Sequence, residues 1–256
     1  MIDNDIKTLL DRAARRINRP EFIETDPVQF PRLYDNPADI EIAALLTATI
    51  AWGRRPMILR NASRILAMTG HQPTKFTLEG AFEDLPDGVN LHRTFFTDDL
   101  KHLLRGLQPI YRKYGTLDAF VKTRRLGTDK ESPWKISEVV RHIISDANPG
   151  IHRTVGIFSS DTSALKRLNM ALRWLVRNDG IVDIGIWQSI TPAQLYIPLD
   201  VHVQRTARRL HLLERRSNDR KAAVQLTDAL RDFRPEDPAL YDFALFGLSN
   251  PEAVRT

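Results

Sequence analysis

The sequence predicts an all-α fold. Three observations lead there: apolar residues recur at helical spacing from end to end, the stripes open at Asn, Thr or Asp caps often followed by proline, and alternating β-branched runs are few. With 256 residues, 42% of them hydrophobic and 27% charged, the chain suits one large domain or two interlocked lobes around a substantial core.

In order along the chain, Ile6, Leu9, Leu10, Ala13, Ala14 and Ile17 make an amphipathic first helix. Asn36-Pro37-Ala38-Asp39 is a start signal, with Asn as cap and Pro at the first helical position, and the apolar run behind it predicts a central buried helix. Thr97-Asp98-Asp99 opens the stripe Leu100, Leu103, Leu104, Leu107, Ile110, Tyr111 and Tyr114, which Gly115 stops. Ile136, Val139, Val140, Ile143 and Ile144 form another stripe, closed by Asn148-Pro149-Gly150. Leu165, Leu168, Leu172, Leu175 and Val176 follow, then starts at Thr191-Pro192, Asn218 and Asp237-Pro238, the last helix ending near Gly247. About ten helices are expected. The polar stretch 115–133 is either a junction between two lobes or a surface loop within one.

Composition removes several chemistries. Cysteine is absent, which excludes disulfides, a thiol nucleophile, iron–sulfur clusters and thiolate zinc sites. The seven histidines show no HxxxH or HExxH spacing, no Gly-rich phosphate loop occurs, and no GxSxG elbow is present. No metal or organic cofactor is expected. No apolar run approaches the ~18 residues of a bilayer span, and the charged N-terminus lacks a secretory core, so a cytoplasmic location without membrane contact is expected. Lys and Arg number 37 against 32 Asp and Glu, a net +5 that leans modestly toward polyanionic partners.

The informative region is 161–213. Lys166 falls in the first turn of a strongly amphipathic helix, where the macrodipole makes a cation mildly unfavourable, and its face continues through Met170, Arg173 and Arg177. Pro198-Leu199-Asp200 ends an apolar segment and places Asp200 at the N-cap of a helix carrying Arg205, Arg208 and Arg209. Taken alone, Lys166 reads as a solvated lysine or a phosphate contact, Asp200 as a plain cap, and the three arginines as a solvated face.

Together these residues resemble the helix–hairpin–helix DNA glycosylase superfamily. Its bifunctional members set a lysine on one helix against an aspartate capping a later one, within a motif like Pro-x-Asp-x-His/Arg-Val-x-Arg; here that segment reads Pro198-Leu199-Asp200-Val201-His202-Val203-Gln204-Arg205. The resemblance gives Lys166 the lysine role and Asp200 the aspartate role. Their spacing is longer than in the endonuclease III type and looks more like the archaeal-type 8-oxoguanine DNA glycosylases, of which this chain would be a bacterial branch. Ala44-Leu45-Leu46-Thr47-Ala48-Thr49 is similar to the superfamily's early helix, with Thr49 where glutamine is usual. Asp242-Phe243-Ala244-Leu245-Phe246 resembles the helix that supplies an acid and an aromatic to the base pocket. The similarity covers about residues 38–250. The glycine-rich hairpin that normally precedes the lysine is replaced by Ser159-Ser160-Asp161-Thr162-Ser163.

The resemblance implies a two-lobed helical glycosylase fold with a central cleft, acting on double-stranded DNA that carries a damaged purine such as 8-oxoguanine. Lys166 would form a Schiff base, with strand nicking by β-elimination as a further step. Asp242 and Phe246 would read the flipped base, Met170 would line the pocket floor, and Thr49 and Trp52 would stand near the lesion. Ser163, Arg205, Arg208 and Arg209 would touch phosphates. Two other readings compete: a non-catalytic nucleic-acid-binding protein on the same fold, and a helical interaction protein whose basic face is incidental. Phe246 and Trp52 also suit ordinary core packing.

Overall fold

The computed structural model describes residues 4–151 and 156–249, and it is all-α apart from one small hairpin. The helices are α1 (Asn4–Ile17), α2 (Pro20–Thr25), α3 (Pro37–Thr49), α4 (Arg55–Met68), α5 (Pro73–Glu79), α6 (Thr97–Tyr114), α7 (Leu117–Thr123), α8 (Ser132–Asp146), α9 (Lys166–Val176), α10 (Val201–Arg209), α11 (Arg220–Phe233) and α12 (Tyr241–Ser249). Strands β1 (Asn90–His92) and β2 (Phe95–Phe96) pair antiparallel.

Local chemistry explains the main boundaries. The Asn36 side chain accepts from the Ala38 N–H and opens α3, and Gly115 at φ +78° closes α6. Thr191-Pro192 opens only a single 3-10 turn, Pro192–Gln194: the Gln194 side chain folds back onto the Thr191 N–H and Leu195 is already extended. Asp219, not Asn218, caps α11, its carboxylate accepting from Ala222 N. The run 181–186 stays irregular; the backbone N–H groups of Ile184 and Trp187 bond to carbonyls of Trp174 and Leu175 at the end of α9, which leaves no strand partner.

Two apolar clusters organise the molecule. The larger holds α3, buried on nearly every face, with Leu100, Leu104 and Leu107 of α6, Ile136 and Val140 of α8, and Leu168, Leu172 and Leu175 of α9. Gly106 lets α6 and α8 approach, since a Cβ there would come within 2.3 Å of Ile144. The smaller cluster joins the two ends of the described chain: Leu10 and Ala14 of α1 pack with Val203, Ala207, Leu226, Leu230, Ala244 and Leu245. Asp11 accepts a 2.8 Å hydrogen bond from the Tyr241 hydroxyl across the same contact.

Stretch 115–133 lies within the larger cluster's body. Leu117, Phe120 and Val121 of α7 are buried in it, and Gln194 Nε2 bonds the carbonyls of Gly127 and Asp129 at 2.7 and 3.2 Å. No helix among the described residues is long and apolar enough to cross a membrane.

Candidate active site

Members of both clusters line a cavity of about 260 Å³: Met170 and Phe243 from the larger, Val203 from the smaller. Five residues singled out in the sequence meet on its wall, namely Lys166, Met170, Asp200, Asp242 and Phe246. They arrive on three helices, and each helix presents its residue for a local reason.

Lys166 is the first residue of α9 and half-buried. The residue before it, Leu165, sits in the left-handed region at φ +48° with its side chain buried, a conformation that costs a non-glycine residue roughly 1–2 kcal/mol. The Lys166 side chain that follows this kink lines the cavity. Lys166 Nζ donates to the Ala51 carbonyl at 3.3 Å and lies 3.8 Å from the Met170 sulfur one turn on. Burial holds the amine below the usual lysine range; the carboxylates of Asp200, Asp242 and Asp26 oppose that shift and Arg167 adds to it.

Asp200 caps α10. Its Oδ1 accepts from His202 N and Val203 N at 2.9 and 3.0 Å, so Oδ2 is not used by the cap. The carboxylate is thereby fixed at the helix N-terminus on the cavity wall.

Asp242 is buried on α12, and Arg173 of α9 pairs with its Oδ2. Burial nevertheless pushes its carboxyl up to about 6, against the pull of Arg173 and Lys166. Arg173 and Arg177, which the sequence placed on the Lys166 face of α9, are committed to carboxylates: Arg173 also to Asp183 at 3.2 Å, and Arg177 to Asp183, Asp179 and Asp237. The cation that acts on Lys166 is Arg167.

Phe22, Asp26 and Arg55 also line the wall, and the sequence did not single out the first two. Asp26 caps a 3-10 turn by accepting from Val28 N at 3.0 Å and faces Arg55 at 3.5 Å. Its Asp-Pro signature matches the other helix starts, but nothing local says that the carboxylate faces Lys166. Phe246 is half-buried, edge-on to Phe22 at 5.7 Å and under the Arg55 guanidinium at 4.8 Å.

Other expected site residues lie off this wall. Thr49 is buried, and its hydroxyl bonds the Leu45 carbonyl one turn back in α3 at 2.7 Å, which turns it away from the cavity. Trp52 packs edge-on to His92 at 4.7 Å and under Arg167 at 4.4 Å. His92 fixes that loop: Nδ1 accepts from Asn61 at 2.9 Å and Nε2 donates to the Trp52 carbonyl at 2.8 Å. Ser163 Oγ accepts from Leu165 N at 3.2 Å, and its carbonyl accepts from Trp134 Nε1 at 2.9 Å. Arg205, Arg208 and Arg209 are exposed on α10, with Arg209 reaching the Leu248 carbonyl at 3.2 Å. Among the described residues no group of three or more His, Asp or Glu side chains is placed to hold a metal ion.

Residues 26–250 match a family described as a protein of unknown function, DUF2400. The chain belongs to this family. No curated protein and no solved structure matches it. The matched span begins at Asp26 and takes in every residue of the cavity wall except Phe22.

Proposed function

We propose that the protein is a base-excision DNA glycosylase with an associated lyase step, acting on a damaged purine such as 8-oxoguanine in double-stranded DNA. The observation that carries this reading is the placement of Lys166, a half-buried amine on a cavity wall shared with Asp200 and Asp242, its pKa lowered by burial. A lysine whose pKa is lowered by burial reaches its neutral, nucleophilic form more readily, which suits attack on an electron-poor carbon.

In this reading the damaged nucleotide leaves the stack and its base enters the cavity. Lys166 Nζ attacks C1′ as the glycosidic bond breaks and its electron pair leaves with the base. The Asp200 carboxylate favours the positive charge that develops on the sugar and takes the proton lost by the attacking amine. Opening of the sugar ring gives the Schiff base, and loss of a C2′ proton expels the 3′ phosphate. Hydrolysis then restores the free lysine. The aromatic wall of Phe22 and Phe246 suits a flat base, and the Asp242 carboxyl, near its midpoint around pH 6, can either accept or donate a hydrogen bond at the base edge. Side chains alone carry these steps, and the lack of cysteine suits a cytoplasmic, reducing setting.

Borohydride trapping on lesion-bearing duplexes tests the reading. Wild type should give a covalent complex, and Lys166→Gln none, while still binding the lesion. Asp200→Asn keeps an acceptor for the cap, so the fold should persist while the rate falls about two to three orders of magnitude. Trapping by Lys166→Gln at the wild-type level would sink the assignment.

A further inference from the structure

Beside the lysine cavity runs a far larger groove of about 1120 Å³, walled by α1 and α2. Arg12, Arg15 and Arg16 of α1 and Arg19, which precedes α2, all line it; Arg12 stands at the three- and four-residue spacings from Arg15 and Arg16 that make helix neighbours. All four are exposed, and none forms an ion pair among the described residues; Arg15 and Arg19 use only their Nε groups, on helix carbonyls at 3.2 and 3.4 Å. Among the described residues Glu21 is the one carboxylate on the wall. Such a face repels itself, and an anion laid along it removes the repulsion.

Groove and cavity adjoin, with Phe22, Arg55 and Phe246 lining both. Arginines along a channel with aromatic rings at its inner end are what a single nucleic-acid strand requires: cations follow the phosphates while rings meet the bases. We propose that the groove between α1 and α2 is the track for the phosphodiester strand whose base enters the lysine cavity. The inference rests on the excision reading only for the identity of that base.

The test uses the full chain and an undamaged single-stranded deoxyoligonucleotide of twelve mixed nucleotides, with affinity measured over a range of sodium chloride. If the arginines contact phosphates, Arg12→Gln/Arg16→Gln should flatten the slope of log K against log[salt] by about 1.4, since each single-strand contact contributes roughly 0.7. Both side chains are exposed, so the fold should survive, and Arg12→Lys/Arg16→Lys should restore most of the slope. An unchanged slope in the glutamine variant overturns the proposal. So does poly-glutamate competing as well as the oligonucleotide at equal charge. The Lys166→Gln chain separates this outcome from the excision reading: a wild-type slope with no covalent trapping in any variant would sink excision alone. Trapping that survives while the slope stays flat from the start would sink the groove alone.

Discussion

The Arg173 guanidinium, two turns along α9 from Lys166, reaches across to Asp242 on α12 and holds Asp183 with the same group. From there the charges alternate through Arg177 to Asp179 and Asp237, and Asn18 bonds Asp179 at 2.7 Å. The polar face of α9 is thus a buried ionic network that fixes one wall of the cavity. Both charge signs have been taken out of water, so each depends on its partner.

Arg173→Gln should therefore cost about 3–5 kcal/mol in urea unfolding, because two buried carboxylates lose a cation. The cost should depend on pH. Asp242 has its carboxyl raised from 3.8 to about 6 in the folded protein, so its proton is held more tightly there than in the unfolded chain. That contribution to stability is complete below the unfolded value and is lost as pH rises through about 6. Ionised Asp242 then needs Arg173 most, so the gap between wild type and variant should be widest above pH 6 and narrow toward pH 4. A gap independent of pH would mean that the pair contributes through packing alone.

Burial is the main cause of the lowered Lys166 pKa, and Arg167 is the cation that adds to it. Arg167→Gln should shift the alkaline-rising limb of the single-turnover rate toward higher pH, and Arg167→Lys should largely restore it. Below the lysine pKa the rate should fall tenfold per pH unit in both proteins, as the neutral amine is depleted. The variant also frees the Trp52 ring, so thermal unfolding is measured alongside. A profile that does not move would take Arg167 out of the site's electrostatics.

Phe246→Ala removes the ring between Phe22 and Arg55. Affinity for a lesion duplex should drop by about 1–3 kcal/mol more than affinity for the undamaged duplex, the worth of one base–aromatic stack. Equal losses on the two would make Phe246 a packing residue.

Much of this was legible from residue patterns, and the failures have physical causes. Asn36 and Asp200 were readable as caps because capping is local: a short acceptor meets an N–H two or three residues on. The hairpin 90–96 escaped because strands of three and two residues carry no period. Arg173 and Arg177 were read as part of a helix face rather than as buried ions, since the carboxylates that neutralise them come from Asp183, Asp237 and Asp242, outside the helix. Thr49 was placed near the lesion by alignment, but a threonine in a helix can turn its hydroxyl to the carbonyl four residues back, and this one does. The arginines of α1 were visible as charges on an amphipathic helix, but the groove they wall exists only because α2 and Phe246 close it.

The contact between Asp11 and Tyr241 spans nearly the whole chain and has a consequence for biosynthesis. While the ribosome is at work, α1 has no α12 to cover Leu10 and Ala14, and Lys166 has neither Asp242 nor Phe246 opposite it. The larger cluster can collapse from α3 to α9 first, but α1 must wait with its apolar stripe uncovered, a state that invites chaperone capture or misassociation. A nascent chain stalled before α12 would therefore carry Lys166 without its cavity. Lys166 acquires its surroundings only when synthesis has passed α12.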